Sequence, residues 1–167
     1  MSHSANATWE YGDGSCNMGT GKVRTCFNPA KSSQLNWYSD RRIILNFARR
    51  GGFNGTLIGV PHYRHASSVG KYVYVKVEGY PFRKPDVFVG FNVASGINVN
   101  TSQAKNRVTV HTQFGSNVSY LVKDLGAGQS HSIPNYKGTT ALNIRVNSII
   151  TSGGIPVANI DVYLTGC

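Results

Sequence analysis

The sequence predicts a mainly β protein in which a short, turn-rich N-terminal part precedes an antiparallel β-sandwich. Short runs of alternating apolar and polar residues recur after residue 50, with Gly, Pro or Asn between them. No long run of helical periodicity interrupts them. Before residue 50, alternation is scarce and turn residues are dense. We therefore predict two parts, residues 1–50 and residues 51–167, the second a sandwich of about seven or eight strands.

The N-terminal part is expected to contain one short helix. Asn28 is a favourable N-cap residue, and Pro29 suits the first helical position because its missing N–H would have no partner there. The helix should continue through Leu35 toward Trp37. The pair Gly51-Gly52 then marks the break before the sandwich.

A period of two predicts the strands of the second part. Three valines of residues 72–77 lie on one predicted face, with Tyr72, Tyr74 and Lys76 on the other. Residues 87–91 are more apolar, which favours a strand covered on both faces. The further predicted strands are residues 107–111, 117–122, 142–146 and 160–164.

Composition excludes several classes of protein. Hydrophobic residues make up 40% and charged residues 14%, as in a packed globular chain. No stretch approaches the roughly 20 apolar residues of a membrane helix, so no membrane association is expected. The net charge is +10. Because the basic residues are spread along the chain with no RNA-binding signature, nucleic acid is disfavoured and acidic polysaccharide remains a possible partner.

Two features predict a secreted, extracellular glycoprotein. Acceptor sequences for N-glycosylation begin at Asn6, Asn54, Asn100 and Asn117. The first residues have neither a basic start nor an apolar run, so the signal peptide is expected to lie upstream of this sequence.

The cysteines are the second feature that predicts a secreted protein. Cys16 and Cys26 are close enough in sequence to close a small loop, and we predict a disulfide that stabilises by about 2–3 kcal/mol. Cys167 leaves an odd number, so one thiol is free or pairs with a part of the protein outside this sequence.

The first forty residues carry a resemblance to a known family. The run from His3 to Gly19, HSANATWEYGDGSCNMG, resembles the segment that follows the zinc helix in gametolysin-like peptidases. These are metzincin-type enzymes of algal cell-wall lysis. Cys26-Phe27-Asn28, residues 34–40 and residues 90–98 continue the similarity, which is firmest over residues 3–40.

The resemblance implies roles for two residues. Metzincins bind zinc through H-E-x-x-H-x-x-G-x-x-H. His3 would be the third histidine of that motif, and Met18 the methionine of the Met-turn beneath the metal, with a structural role. The other two histidines and the glutamate that serves as general base would lie upstream of Met1.

The resemblance therefore implies the C-terminal portion of a secreted zinc metalloendopeptidase that acts on extracellular matrix or cell-wall glycoproteins. Residues 1–50 would close its catalytic domain, and residues 51–167 would form an accessory domain. A peptidase zinc needs three protein ligands, an open position for water and a carboxylate base. With one ligand and no HExxH helix, this chain alone is predicted to bind no zinc and to be inactive.

The other histidines offer no replacement site. His62 and His65 could form a metal pair, but no carboxylate lies near them in sequence, and loop histidines are the favoured interpretation. His111 and His131 lie in strand-like stretches and are expected to be surface or core residues. The sequence contains no G-x-S-x-G pattern and no Cys–His arrangement of a nucleophilic enzyme.

Two further interpretations remain open. The sandwich could be a non-catalytic module that binds acidic cell-wall polysaccharide or glycoprotein through its positive charge and the aromatic face of Tyr72 and Tyr74. It could also be purely structural and cover one side of the catalytic domain.

Overall fold

The computed structural model describes residues 2–19, 24–49, 51–79 and 81–165. Within these ranges the chain is mainly β, as predicted, and forms two sheets. The strands are β1 (Ser4–Ala5), β2 (Arg42–Leu45), β3 (Gly52–Ile58), β4 (Tyr74–Val77), β5 (Asp86–Asn92), β6 (Arg107–Gln113), β7 (Ser119–Leu125), β8 (Ser130–Lys137), β9 (Thr140–Ser152) and β10 (Ile155–Leu164). The α-helix α1 is Pro29–Gln34, and 3-10 turns occupy Ser39–Arg41, Val60–His62, Ala66–Ser68 and Gly96–Asn98.

The large sheet has the strand order β1-β7-β6-β5-β4-β2, and the small sheet has the order β3-β10-β9-β8. Neighbours are antiparallel except at both edges of the large sheet, where β1 runs parallel to β7 and β2 parallel to β4. One continuous apolar cluster joins the two sheets. It includes Val75, Val89 and Val110 from the large sheet and Ile144 and Ile160 from the small one.

The large sheet contains strands from both sides of the predicted boundary. β1 and β2 precede residue 50, whereas β4 to β7 follow it. The two parts that the sequence distinguishes therefore share one hydrogen-bonded sheet.

Helix α1 begins where the sequence predicts. The Asn28 side chain accepts a hydrogen bond from the Lys31 amide at 2.9 Å, and Pro29 is the first helical residue. The helix ends at Gln34, short of Trp37, because Asn36 takes a left-handed conformation with φ of 57°. The Trp37 amide then bonds the Ser32 carbonyl, which satisfies a carbonyl at the helix end.

The N-terminal segment covers the outer face of the large sheet. Pro29 packs on Gly90 of β5 so closely that a Cβ on Gly90 would lie 2.4 Å from the proline Cγ. Thr109 and His111 of β6, which point away from the inter-sheet cluster, are also buried. Burial on both faces explains the nearly continuous apolar run of β5 that the sequence indicated.

The structure contradicts the predicted aromatic face of Tyr72 and Tyr74. Tyr74 is fully buried, and its hydroxyl donates to the Trp37 carbonyl at 3.3 Å. Tyr72 is partly buried against the inter-sheet cluster. Tyr72 and Tyr74 therefore do not form a binding surface, because Tyr72 packs on the inter-sheet cluster and Tyr74 lies in a second buried cluster with Ile58, Val73 and Val157.

No helix within the described ranges is long and apolar enough to cross a membrane.

Candidate functional site

His3, the predicted zinc ligand, lies immediately before β1 with its side chain 39% exposed. Its Nδ1 is 2.9 Å from Glu10 Oε1, and its Nε2 is 2.9 Å from the Tyr11 hydroxyl. The ring also packs on Tyr11, with 4.2 Å between centroids. Both ring nitrogens are thus engaged by a carboxylate and a phenol, an arrangement that fixes the imidazole at the surface.

A tight loop brings Glu10 and Tyr11 to His3. The Asn6 Oδ1 accepts from the amides of Thr8 and Trp9, both at 2.9 Å, and its Nδ2 donates to the Gly12 carbonyl at 2.8 Å. The loop passes so near the Asn6 amide that a Cβ on Gly12 would lie 2.3 Å from Asn6 Cγ. Asn6 therefore acts as the internal brace of this loop.

Met18, the predicted Met-turn residue, lies in a compact turn beside the same strand. The Cys16 amide donates to the Asp13 carbonyl at 3.3 Å, and the Gly19 amide to the Cys16 carbonyl at 3.0 Å. The Met18 carbonyl accepts from the Ser4 amide at 3.1 Å. The structure thus brings the turn of Met18 next to the strand that His3 precedes.

Below this surface lies a fully buried polar network that the sequence did not reveal. The Asp13 Oδ2 accepts from Ser4 Oγ at 2.6 Å and Asn28 Nδ2 at 3.0 Å, and it lies 2.9 Å from His111 Nε2. Asn28 Nδ2 also lies 2.7 Å from Ser4 Oγ and 3.0 Å from Ser119 Oγ. Ser4, Asp13, His111 and Ser119 are all 0% exposed.

The network contains Ser, His and Asp but lacks the geometry of a catalytic triad. The Ser4 hydroxyl donates to Asp13, so no imidazole lies where it could accept the serine proton. His111 Nδ1 has no hydrogen-bond partner among the described residues, and no member of the set is open to solvent. The network is therefore suited to holding the N-terminal segment on the sheet and not to nucleophilic catalysis.

The network keeps Asp13 ionised. Burial acts to raise the pKa of Asp13, but the charge of His111 and hydrogen bonds from His111, Ser15 and Ser4 outweigh it. The pKa of Asp13 is consequently held well below its usual range. The carboxylate thus stabilises the fold as an anion that has hydrogen-bond partners at both of its oxygens.

Cys16 and Cys26 are free thiols in the structure, so the predicted disulfide is not formed there. The Cys16 sulfur accepts from the Asn28 amide at 3.3 Å and the Met18 amide at 3.5 Å. Burial, followed by the Asp13 charge, raises the pKa of Cys16 to about 11. Burial and the neighbouring Cys16 raise the pKa of Cys26 to about 11. The disulfide stays a prediction for an oxidising compartment, and Cys167 lies outside the described residues.

His62 and His65 are neighbours in one turn, where the His65 amide donates to the His62 carbonyl at 3.0 Å. His62 Nε2 lies 3.4 Å from the Ser95 hydroxyl, and His65 Nδ1 accepts from the Ser67 amide at 3.2 Å. Burial, with the neighbouring His65, lowers the pKa of His62. Across the described ranges, no group of three or more His, Cys, Asp or Glu could hold a metal ion. His3 and Glu10 alone do not fit a complete zinc site.

The four glycosylation acceptors differ in their surroundings. Asn6 is partly buried, and both atoms of its amide are engaged in the loop. Asn54 is exposed, but its Nδ2 donates to Asp161 Oδ1 at 2.5 Å across the β3–β10 pair. Asn100 and Asn117 are exposed in loops.

Asn117 borders a cleft of about 490 Å³ at the β6–β7 end of the large sheet. The cleft is lined by Ser2, Pro85, Thr112, Gln113, Phe114, Asn117, Val118 and Tyr120. Phe114 is 57% exposed and Tyr120 47% exposed. The sequence alone did not indicate this cleft, because Phe114 is a loop residue and Tyr120 a strand residue, and only the folded hairpin brings both to it.

No protein-family model, curated protein or solved structure matches this chain. The class that the fold defines is therefore a two-sheet, mainly β protein whose N-terminal segment is anchored on the large sheet by a buried polar network.

Proposed function

We propose that this chain is the C-terminal portion of a secreted, gametolysin-like zinc metalloendopeptidase that acts on extracellular matrix or cell-wall glycoproteins. In this proposal His3 is the third zinc ligand, Met18 is the Met-turn residue, and the two sheets are an antiparallel β-sandwich that completes and supports the catalytic domain. Zinc would come to the enzyme through His3 together with residues outside this sequence.

One observation carries the proposal beyond the sequence resemblance. In a metzincin the Met-turn lies beneath the metal site, so its residue must be close to the third histidine. Here the Met18 carbonyl accepts a hydrogen bond from the amide of Ser4, the residue after His3. This contact agrees with the roles that the resemblance implies for His3 and Met18, although these two residues are fifteen positions apart in sequence.

In this proposal the contribution of this chain to the metal site is to hold and orient His3. The Glu10 carboxylate and the Tyr11 hydroxyl each contact one ring nitrogen, and a carboxylate partner raises the basicity of a metal-ligating imidazole. Before His3 could bind a metal through Nε2, the Tyr11 hydroxyl would have to move away from that nitrogen. Binding through Nδ1 would require the same of the Glu10 carboxylate. In this proposal the general base, like the other two zinc histidines, comes from residues outside this sequence, so the chain alone should not hydrolyse peptides.

The decisive experiment compares two proteins. This chain alone, loaded with Zn²⁺, should show no chelator-sensitive cleavage of casein. A longer protein that includes the upstream coding sequence should cleave casein, and His3→Ala should reduce that activity by about 100-fold or more. His65→Ala is the matched control, because His65 is an exposed loop histidine far from His3 in sequence. Chelator-sensitive cleavage by the chain alone would contradict the proposal, as would an extended H3A enzyme that retains activity.

A non-catalytic binding module is the second candidate, favoured by the net charge of +10. Because Tyr74 is buried, this candidate now depends on charge and not on the Tyr72–Tyr74 face. It predicts retention on an acidic polysaccharide column at low salt and release as the ionic strength rises. A protein that passes through the column at low salt would eliminate it.

A further inference from the structure

The β6–β7 hairpin places a glycosylation acceptor at the same cleft as two exposed aromatic side chains. The hairpin is closed by the Gln113–Ser119 pair, and its loop runs from Phe114 to Val118. The Asn117 amide donates to the Phe114 carbonyl at 3.1 Å, and Gly115 takes the left-handed conformation that the turn requires, with φ of 53°. This turn brings Phe114 and Asn117, three positions apart, to the same cleft.

The backbone of the acceptor is held firmly while its side chain is left available. The Asn117 carbonyl accepts from Gln113 Nε2 at 2.6 Å and from Lys31 Nζ at 3.1 Å. Lys31 belongs to α1, so the loop is tied to the helix that covers the large sheet. Within the described ranges, the Asn117 side-chain amide makes no hydrogen bond, in contrast to those of Asn6 and Asn54.

We propose that Asn117 carries an N-linked glycan whose first N-acetylglucosamine packs on Phe114 in the cleft between Phe114 and Tyr120. One face of a pyranose ring presents C–H groups, which pack on an aromatic ring and remove its apolar surface from water. Thr112, which also lines the cleft and is partly exposed, supplies a hydroxyl for the polar groups of the sugar. The cleft volume of about 490 Å³ lies within the usual range for ligand sites.

The burial of Ser119 does not oppose this assignment. Ser119 supplies the hydroxyl of the acceptor sequence, and in the folded protein that hydroxyl is 0% exposed within the Asp13 network. The glycan must therefore be added before β7 joins β6 and the N-terminal segment covers the sheet. Once the chain has folded, the sugar becomes a cover for the exposed rings of Phe114 and Tyr120.

The inference rests on the secretory route of the proposed function and not on peptidase activity. The test produces this chain with an added secretion signal in a eukaryotic host and trims each glycan to a single N-acetylglucosamine. Mass spectrometry then gives the occupancy of each acceptor. We expect Asn117 to be occupied, and an empty Asn117 beside an occupied Asn100 would overturn the proposal.

The proposed contact between the sugar and Phe114 is tested by combining N117Q with F114A. In the glycosylated protein, F114A should lower the Tm by about 2–4 °C, whereas in the N117Q background it should have no such effect. Asn100→Gln is the matched control, because Asn100 is an exposed loop acceptor outside the cleft, and the effect of F114A should persist in it. An equal effect of F114A with and without the Asn117 sugar would overturn the proposed packing.

An independent readout is the proton spectrum of the trimmed glycan. Ring currents of Phe114 should shift the acetyl and ring protons of the Asn117 sugar upfield, and F114A should remove that shift. Unshifted resonances at Asn117, equal to those at Asn100, would contradict the contact. None of these outcomes depends on zinc or on peptide cleavage, so a protein without peptidase activity leaves the inference intact.

Discussion

Asp13 joins three parts of the structure, namely β1, the N-terminus of α1 and the large-sheet strand β6. Its carboxylate contacts side chains from β1, from the N-cap of α1 and from β6, namely Ser4, Asn28 and His111. The second oxygen accepts from Ser15. A buried polar network of this kind stabilises a fold through its paired groups, because an unpaired polar group such as His111 Nδ1 pays the full desolvation cost.

We therefore expect Asp13→Asn to destabilise the protein by roughly 3–5 kcal/mol. The substitution keeps the size of the side chain, but it removes the charge beside His111 and places an amide donor where donors already converge. The free energy of unfolding in urea at pH 7 measures the loss. Asp161→Asn is the matched control, because Asp161 lies partly exposed on the small sheet with Asn54 and Asn147, and its effect should stay within about 0.5 kcal/mol.

The same pair of proteins gives a pH dependence of known sign. Because the pKa of Asp13 is lowered in the folded state, its contribution is fully present above the unfolded-state pKa of about 3.9. The contribution is lost as the pH falls below that value toward the lower folded-state pKa. The difference in unfolding free energy between the wild type and D13N should therefore shrink as the pH falls below about 4. A difference that instead grows as the pH falls below about 4 would contradict an ionised Asp13.

The sequence could not reveal this network, because its members have no local pattern. Asp13 and His111 are 98 positions apart. His111 reads as one residue of an alternating strand, and only the cover of the outer face makes it a core residue. His3 and Met18 were accessible only through a family resemblance, since neither spacing nor composition distinguishes them.

At the scale of elements, the contact between α1 and β5 depends on a missing side chain. The ring of Pro29 occupies the space above Gly90, where a Cβ would lie 2.4 Å from its Cγ. Pro29 is fixed by the backbone of the first helical turn and cannot swing aside as a flexible side chain would. The position of α1 on the large sheet is therefore incompatible with any residue larger than glycine at position 90.

We predict that Gly90→Ala destabilises the protein by about 1–3 kcal/mol, although alanine is intrinsically better than glycine in a strand. The cause is the displacement of α1, and hydrogen exchange of the Lys31 and Ser32 amides should accelerate with the loss of stability. Gly51→Ala is the control, because no atom lies within 4 Å of the added Cβ and the backbone there is not left-handed. An unchanged G90A protein would mean that the helix does not rest on this position.

The elements that sequence reasoning found were those with strong alternation or a clear cap. β4 to β7, β9 and β10 overlap the predicted strands, and α1 begins at its predicted proline. β1 has only two residues, β3 contains Gly52 and Gly55, and β8 contains Pro134, so each lacks the regular period of a strand. These strands depend on hydrogen bonds to neighbouring strands, and a local sequence pattern does not show that pairing.

At the scale of the whole molecule, the predicted division at residue 50 separates regions of different sequence character, yet both contribute to one sheet. β2 pairs with β4, β1 pairs with β7, and α1 lies on β5 and β6 between these edges. The turn-rich composition of residues 1–50 reflects their position as a cover over the outer face. An accessory domain that folds alone would need its own second layer on that face.

We predict that residues 51–167 produced alone do not fold cooperatively. Without the N-terminal segment, the outer-face residues Thr109 and His111 would be exposed, and the edges of β4 and β7 would lose their partners. Such unpaired edges favour aggregation. Thermal unfolding and size-exclusion chromatography of this fragment, compared with a protein lacking only residues 1–2, measure the effect. The longer protein keeps β1, Asp13 and α1 and should unfold in one sharp transition. If the fragment instead unfolds sharply with a Tm near that of the full chain, then the two parts are independent domains, and the shared sheet contributes little to the stability of either.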